Sequence, residues 1–389
     1  MRIAFFGQQS AFDYNHIGGS ESITRRLAKQ LTETCDSEGV DYVLFHAPRT
    51  EEQIVTPRVR VRYFQTYAEA ARALLAGYDH VVSLHLPRQE RARYALFRAM
   101  QHHRLKFHAF RTMFNPSAAK RLLGLVDLVL SPLNGTLFVI SPRLYGMVKP
   151  WVQRTFLILP PVPDDRFLRA VDKPIYSPLR VTFIGRIDPG KGAAEATELF
   201  YRLKDDKKFL CRFYGYVFET GRVTRVEDDI YRRLRALSAG MFVETSYTRY
   251  SPDVDRAVQE AMAETDILLL PYRNVSSTAD MPLVFMEGMA SLCALVIPQS
   301  AADLPLVYGP SRLYIEGDDW IESMLHIVTS AKTILSDEHR RSEVRNAQLN
   351  FGLAASAQAF KRVLLGQQQP RVGAWPENLL TFKGSHFAR

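Results

Sequence analysis

Short apolar runs alternate with longer segments of helical period along the whole chain. The runs are rich in Val, Ile, Leu and Phe, which is typical of parallel strands buried on both faces, and the segments between them are long enough for right-handed βαβ connections. In the first half the predicted strands are Ile3–Phe6, Tyr42–Phe45, Val59–Tyr63, Val81–Leu84, Phe107–Phe110, Leu128–Leu130, Phe138–Ile140 and Phe156–Leu159. In the second half they are Val181–Ile184, Phe209–Tyr214, Met241–Val243, Ile267–Leu270, Leu295–Ile297 and Leu313–Ile315. The pattern predicts an α/β fold that is built twice.

Prolines mark the boundary between the two halves. Five of them lie between Pro160 and Pro178, where they stop helix and sheet pairing, and a fresh strand begins at Arg180. We therefore expect a Rossmann-like domain over residues 1–168 and a second one over residues 169–348. Residues 349–389 are expected to form a helix near Phe351–Leu365, which crosses back to the first domain, and a tail without periodicity.

Composition excludes several classes of protein. With 47% hydrophobic and 23% charged residues, the chain is of the ordinary globular kind, and not disordered or collagen-like. Three cysteines without metal-ligand spacing argue against a structural zinc site and favour a reducing compartment. No apolar run approaches the ~20 residues of a membrane span, and the first strand is too short for a signal peptide. We expect a cytoplasmic protein.

Charge is divided unequally between the two halves. The net charge is +9; residues 1–170 carry 23 cations against 14 acids, whereas residues 171–389 carry 27 of each. Nine cations lie between Arg88 and Arg121, with Glu90 as the one acid. Such a block indicates an anionic partner, such as phosphate groups, an anionic membrane surface, nucleic acid or an acidic substrate.

The basic block begins with a predicted helix over residues 88–104. One side of this helix holds Ala92, Leu96, Ala99 and Met100, and its polar positions include Arg91, Arg98 and Arg104. One interpretation is a solvated face over the sheet. The other is a surface that meets the acceptor or an anionic membrane. Nucleic acid is less favoured, because no stacking platform of alternating aromatic residues is present.

Three glycine-containing motifs follow predicted strands. The first, GGSE at residues 18–21, precedes a helix with a buried stripe. Gly18 and Gly19 would let the backbone approach a ligand, and free amides at a helix start attract anions. The alternative is an ordinary glycine turn with Ser20 as the N-cap.

The second motif is FIGRIDPGKG, residues 183–192. Arg186 and Lys191 would project from the carboxyl end of the sheet, where open α/β domains bind ligands. A rigid guanidinium and a mobile ammonium suit a diphosphate; two solvated loop cations are the alternative. The spacing is not that of a P-loop.

The third motif runs from TDILLLP at residues 265–271 to ADMPLVFMEGMA at residues 279–290. A buried strand leads through a polar loop to a helix that Pro282 would open. The backbone amides of Met281 and Leu283 would face the same crevice as the two cations. Glu287 would accept hydrogen bonds from a ribose diol, or be a solvated helix acid.

Together these motifs resemble glycosyltransferase family 4, whose members are retaining enzymes of polysaccharide or glycolipid biosynthesis. The similarity is specific over residues 180–300 and moderate over residues 1–31. It implies the GT-B fold, with two Rossmann-like parallel-sheet domains facing across a cleft. It also implies transfer of a sugar from a nucleoside diphosphate sugar to a glycan, lipid-linked or other anionic acceptor, with no metal and no cofactor.

The resemblance also implies roles for individual residues. Residues matching Arg186 and Lys191 hold the diphosphate, the residue matching Glu287 holds the ribose, and the glycine matching Gly19 lines the phosphates from the other domain. The expected donor-binding residues are Gly18, Gly19, Arg186, Lys191, Met281, Pro282, Leu283 and Glu287. The expected catalytic residues are Arg186, Lys191 and Asp280, and the expected acceptor-binding residues are His85, His108 and Arg111.

Two departures from the family pattern leave alternatives open. A second family Glu falls on Ala279 here; Asp280 beside it would replace that Glu, or the sugar is recognised differently. The family histidine of the first domain falls near Thr112, with His85 and His108 close in sequence. A vestigial nucleotide-binding protein, a nucleotide-sugar epimerase and a nucleic-acid-binding module are the alternative functions. The acids Asp253 and Asp255 are more typical of a helix start than of a metal site.

Overall fold

A computed structural model describes residues 1–112, 132–168, 173–217, 225–246, 250–273, 281–335 and 351–367, except residues 17, 36, 49, 239, 302–303 and 309–312. These residues form two compact units. The first contains Met1–Pro161 and the described residues from Phe351 onward, and the second contains Val162–Asn350. The predicted boundary after residue 168 lies inside the second unit, and the predicted strand Leu128–Leu130 lies outside the described residues.

The first unit is built on a sheet that is eight strands wide among its described residues, in the order β3-β4-β2-β1-β5-β6-β7-β8. Neighbouring strands are parallel except β3 and β4. Its strands are β1 (Arg2–Gln8), β2 (Gly39–Phe45), β3 (Glu52–Thr56), β4 (Val59–Tyr63), β5 (His80–Ser83), β6 (Lys106–Arg111), β7 (Leu137–Val139) and β8 (Thr155–Leu157).

Helices cover this sheet, and α1 (Gly19–Glu33) does so with an apolar stripe. In α1, Ile23, Leu27 and Leu31 recur at helical spacing and are fully buried. The C-terminal helix packs on the same unit, where the Phe360 ring lies 4.2 Å from that of Phe138. The helices of this unit are α1 (Gly19–Glu33), α2 (Tyr67–Gly77), α3 (Arg88–Gln101), α4 (Pro142–Val148) and α11 (Leu353–Leu364).

The second unit repeats the arrangement with a parallel sheet in the order β11-β10-β9-β12-β13-β14. An apolar cluster fills the space between one face of this sheet and three of the helices. The strands are β9 (Leu179–Arg186), β10 (Phe209–Val217), β11 (Phe242–Ser246), β12 (Ile267–Leu269), β13 (Ala294–Pro298) and β14 (Tyr314–Ile315). The helices are α5 (Ala193–Leu203), α6 (Arg225–Arg235), α7 (Pro252–Ala263), α8 (Leu283–Ala290), α9 (Leu304–Tyr308) and α10 (Trp320–Ile334).

Three local features differ from the sequence-based expectation. Strand β3 was not predicted, because it is a polar edge strand whose side chains are mostly exposed and it has no apolar run. Gly18, and not Ser20, is the N-cap of α1. Pro282 is the N-cap of α8, one position before the helix that it was expected to open.

Helix α3 buries a different face from the one that its apolar residues suggest. Glu90, Tyr94 and Arg98, spaced four residues apart, are buried, and the Tyr94 ring stacks on Phe6. Leu96 and Met100 are 63% and 60% exposed. The helix therefore turns part of its apolar side outward, and Arg98 is not a solvated cation.

A pair of histidines is buried inside the first sheet. The Thr136 N–H donates to Nδ1 of His108, and Nε2 of His108 lies 3.0 Å from Nδ1 of His80. Because Nδ1 of His108 accepts a hydrogen bond, a neutral ring carries its proton on Nε2 and donates it to His80. Burial lowers the pKa of His80 to about 4 and that of His108 well below its ordinary value.

This pair predicts acid sensitivity of the fold. Below pH ~6.5 the unfolded chain protonates both histidines while the folded chain does not, so stability is lost as the pH falls from about 6.5 towards 4. Each histidine contributes a slope of about 1.4 kcal/mol per pH unit in the free energy of unfolding. Urea denaturation at several pH values measures it. His80→Gln should reduce the slope, whereas His102→Gln, at an exposed position, should leave it unchanged; equal slopes in all three proteins would contradict this account.

Candidate functional site

The carboxyl ends of two neighbouring strands bring the second and third motifs together. Strands β9 and β12 pair in parallel, so the segments that follow them leave the same edge of the sheet. After β9 the chain makes a short 3₁₀ turn at Pro189–Lys191, which Asp188 caps by accepting from the Gly190 N–H at 2.7 Å. The Arg273 N–H, after β12, donates to the Gly190 carbonyl at 3.0 Å. The two segments are therefore fixed to each other by their backbones.

Gly192 allows this close approach. Its φ of +74° is in the left-handed region that favours glycine, and a Cβ there would lie 2.0 Å from the Pro271 carbonyl oxygen. Gly192 also precedes the first residue of α5. A side chain at this position would push apart the two segments that carry the candidate residues.

Arg186 and Lys191 lie at this edge and differ in their surroundings. The Arg186 side chain is 37% exposed and its Nη2 is 3.7 Å from Oδ2 of Asp188. Lys191 Nζ lies 5.6 Å from the centre of the Tyr272 ring. Burial and, to a smaller extent, the positive charge of Arg186 lower the pKa of Lys191 to about 8, while Asp188 opposes the shift. Arg186 and Lys191 together make this edge electropositive, and the Lys191 ammonium is partly shielded from water.

Tyr272 also lies at this site, although the sequence motifs did not identify it. Its ring is fully buried under Lys191, and its hydroxyl has no hydrogen-bond partner among the described residues. Burial raises the pKa of the Tyr272 hydroxyl, which therefore stays protonated. Its position directly after Pro271, at the carboxyl end of a buried strand, is the signal that could have identified it.

Helix α8 carries the remaining predicted donor residues. Met281 and Pro282 at its start are buried, and Leu283 is half-buried. A Cβ at Gly288 would lie within 2.8 Å of the side chains of two strand residues, so this glycine lets the helix sit close to the sheet.

Glu287 is not a solvated helix acid. It is buried, and its Oε1 accepts a hydrogen bond from Nη1 of Arg166 at 2.9 Å. Ala279 and Asp280 lie outside the described residues.

The first motif forms a turn and helix start in the first unit. Gly18 caps α1, and a Cβ on Gly18 would lie 2.2 Å from Oε2 of Glu21, so the Glu21 side chain would have to move if Gly18 were replaced. Gly19 is the first residue of the helix. Burial raises the pKa of Glu21, while a hydrogen bond from its own backbone N–H opposes the shift. The carboxylate of Glu21 lies in the first turn of α1, where the helix dipole attracts an anion.

Other predicted residues lie near the carboxyl edge of the first sheet. The Ser20 hydroxyl of the glycine motif lies 2.6 Å from the hydroxyl of Thr112, near which the resemblance places the family histidine. Arg111 is buried and donates to the carbonyls of Ser83 and Leu84, so it ties the ends of β5 and β6 together. His85 lies exposed just after β5.

His108 is placed differently from the prediction. Its buried ring is in the interior of the sheet, with its nitrogens directed at His80 and Thr136, so it does not face a surface that an acceptor reaches. The structure instead points to His46, which motif reasoning did not identify. It follows β2 with a φ of +55°, and its Nε2 lies 3.1 Å from the buried carboxylate of Glu90. A strained, oriented imidazole is typical of a functional edge.

The acidic pair of the second half lies at a helix start, as the sequence predicts. Asp253 and Asp255 lie in the first turn of α7, and within the described residues no three potential metal-ligating side chains cluster. In the same part of the chain no helix is both long and apolar enough to cross a membrane.

Comparison with solved structures finds extensive similarity at low sequence identity. HepE of Anabaena, in complex with UDP-glucose, aligns with a TM-score of 0.66 at 13% identity over 94% of this chain and 100% of HepE. A UDP-forming trehalose-phosphate synthase of Burkholderia vietnamiensis aligns with a TM-score of 0.62 at 13% identity over 94% and 100% of the two chains. A glycosyltransferase of Rickettsia africae gives 0.61 at 11% identity over 94% and 98%.

The chain has the GT-B fold. No protein-family model and no curated protein matches the sequence. In this GT-B chain the second unit gathers Arg186, Lys191 and Tyr272 at one sheet edge and pairs Glu287 with Arg166. The same fold can carry many different activities, so the function depends on those side chains.

Gly192 gives a test of how the site is assembled. Gly192→Ala should lower the free energy of unfolding by more than the ~1–2 kcal/mol that a left-handed non-glycine residue costs, because the Pro271 backbone must also move. Gly317→Ala is the matched control, since Gly317 has a φ of +72° and nothing within 4 Å of its Cβ position. Urea denaturation of both variants measures the difference; equal losses would contradict the close contact.

Proposed function

We propose that the chain is a glycosyltransferase that moves a sugar from a nucleoside diphosphate sugar to an acceptor with retention of the anomeric configuration. The observation that carries this proposal is the convergence of Arg186 and Lys191 at the carboxyl edge of the second sheet, held there by the Gly190–Arg273 hydrogen bond. The site needs no metal and no cofactor beyond the donor.

The diphosphate of the donor would lie against these two cations. A guanidinium donates two parallel hydrogen bonds to phosphate oxygens, and a desolvated ammonium interacts more strongly with an anion than a hydrated one does. The start of α8 adds backbone amides near Met281 and Leu283. Glu287 would accept hydrogen bonds from the ribose diol, and Asp280 is proposed to contact the transferred sugar.

Uridine nucleotides are the first donors to test. The structure of HepE contains UDP-glucose, and the similar trehalose-phosphate synthase is UDP-forming. These facts concern those proteins, at 13% identity. They support the nucleotide class of this chain's substrate, and they do not name its sugar.

The proposed chemistry takes place on one face of the sugar. The bond between the anomeric carbon and the diphosphate oxygen breaks, and the acceptor oxygen forms its bond on the same face. The acceptor proton passes to the departing phosphate oxygen, so no protein nucleophile is needed. Arg186 and Lys191 stabilise the negative charge that develops on the leaving diphosphate, which is the main electrostatic contribution in such reactions.

The acceptor is proposed to bind at the carboxyl edge of the first sheet. His85 and His46 present imidazoles there, and Arg111 holds the end of β5, which precedes His85. A glycan or a lipid-linked saccharide fits a site of this chemistry, and His108 has no part in it.

A membrane-facing role is proposed for α3. Its outward side exposes Leu96 and Met100, and Arg93, Arg104 and Lys106 are exposed on or just after the helix. Apolar side chains next to cations are typical of a helix lying on an anionic bilayer. We propose that this surface holds the enzyme on the inner face of the membrane, where a lipid-linked acceptor is presented.

Lys191 generates a pH-dependence prediction for donor binding. Since the protonated ammonium binds the diphosphate, affinity for UDP should fall about tenfold per pH unit above pH ~8 as Lys191 loses its proton. Lys191→Arg should abolish this decline, because a guanidinium stays charged. Calorimetric titration with UDP and GDP between pH 7 and 9 measures it. A decline that persists unchanged in Lys191→Arg would rule out this lysine as its origin.

Arg186→Ala should weaken UDP binding by roughly 10–100-fold, since a charge-assisted hydrogen bond contributes about 1.5–3 kcal/mol. Turnover of UDP-glucose should fall with it. Arg202→Ala, on the exposed side of α5 with acidic partners of its own, is the control and should leave binding unchanged. Unaltered binding and turnover in Arg186→Ala would refute the diphosphate assignment. Nucleotide binding by the wild-type chain without any turnover would favour a vestigial site.

The membrane surface has its own test. Replacing both Leu96 and Met100 by Ser should reduce sedimentation with vesicles containing phosphatidylglycerol several-fold, because the apolar contact with the bilayer is lost. Ile54→Ser, at a residue 70% exposed on edge strand β3, is the control and should have no effect. Equal binding by all variants, or equal binding to vesicles of neutral phosphatidylcholine, would refute the α3 surface.

A further inference from the structure

The segment that leads into the second unit is fastened along helix α8. It contains a short 3₁₀ turn at Asp164–Arg166, and the Leu168 N–H donates to the Ala290 carbonyl at the end of α8 at 3.0 Å. The turn and the following backbone bond hold the segment against α8. Arg166 is therefore presented to the helix at a fixed position.

The guanidinium of Arg166 lies between acids from two helices. Its Nη1 donates to Oε1 of Glu287 on α8 at 2.9 Å, and its Nη2 lies 3.7 Å from Oδ2 of Asp255 on α7. The side chains of Arg166, Glu287 and Asp255 are 11%, 9% and 27% exposed. Asp255 in turn accepts a hydrogen bond from the Tyr250 hydroxyl at 3.1 Å. All four residues belong to the second unit.

This arrangement fixes the direction of the Glu287 carboxylate. A carboxylate without a hydrogen-bond donor beside it can change rotamer. The charge-assisted hydrogen bond from Nη1 of Arg166 holds Oε1 in one direction. An acceptor of fixed direction is what recognition of two adjacent ribose hydroxyls requires.

We infer that Arg166 is a positioning residue, which orients the Glu287 carboxylate for the ribose hydroxyls of the donor nucleotide. The inference rests on the proposed function, in which Glu287 contacts the ribose. Under this assignment Arg166 does not touch the donor, and its loss affects recognition of the ribose hydroxyls more than that of the diphosphate. A purely structural fastening of the segment would instead affect all nucleotides equally.

The test compares UDP, GDP and ADP with their 2′-deoxy and 3′-deoxy forms by calorimetric titration. The wild-type chain should bind one ribonucleotide about tenfold more tightly than its deoxy forms, as expected for one hydrogen bond to a charged group. Arg166→Gln should bring this ratio close to one. In a Glu287→Gln background, Arg166→Gln should have no further effect on the ratio. Arg256→Gln, at an exposed ion pair on α7, is the matched control and should keep the ratio.

The outcomes separate the two proposals. If the wild-type chain binds none of the three nucleotides, the proposed function fails. If it binds one and discriminates its ribose hydroxyls, but Arg166→Gln keeps the ratio, the positioning role is overturned and the proposed function stands. If Arg166→Gln does not fold, Arg166→Lys replaces it. The lysine variant keeps the charge but loses the planar fork; it should lower the ratio several-fold, and an unchanged ratio would equally overturn the inference.

Discussion

The contact between the turn after β9 and the segment after β12 is the constraint on which the candidate site depends. Parallel pairing of the two strands brings their carboxyl ends to one edge, and the Gly190–Arg273 hydrogen bond joins the segments. Gly192 permits the approach because no side chain stands between it and Pro271. Lys191 is consequently held over the buried Tyr272 ring and partly desolvated. Its lowered pKa is a result of the fold, and not a property of the motif.

The cations of this chain fall into three groups that differ in burial and in partners. Arg98 and Arg111 lie inside the first unit, so their charges are not presented to a partner at its surface. Arg166 is committed to two acids in the second unit. A third group of cations, which includes Arg93 and Lys106, is exposed. These exposed cations can contact an anionic surface. Net charge therefore indicates a partner only after the buried cations have been set aside.

Much of the fold followed from the apolar runs, because buried parallel strands require them. Strand β4 has the predicted limits, and most other predicted strands within the described residues agree to within a few residues. The exceptions lacked such a run or had a misleading one. Strand β3 is polar and lies at a sheet edge, and the apolar residues of α3 are partly exposed. Periodicity shows that a helix has two faces, but the neighbouring elements decide which face is buried.

The sequence by itself determined the two α/β units and the motifs that place Arg186, Lys191 and Glu287 at strand and helix ends. Short-range patterns suffice for this, since strand ends and glycine turns are local features. Tertiary structure decided the partners: Tyr272 beneath Lys191, Arg166 beside Glu287, and His108 inside the sheet next to His80. Those contacts join residues that are far apart in sequence. Their pairing depends on strand order and helix packing, which no local pattern specifies.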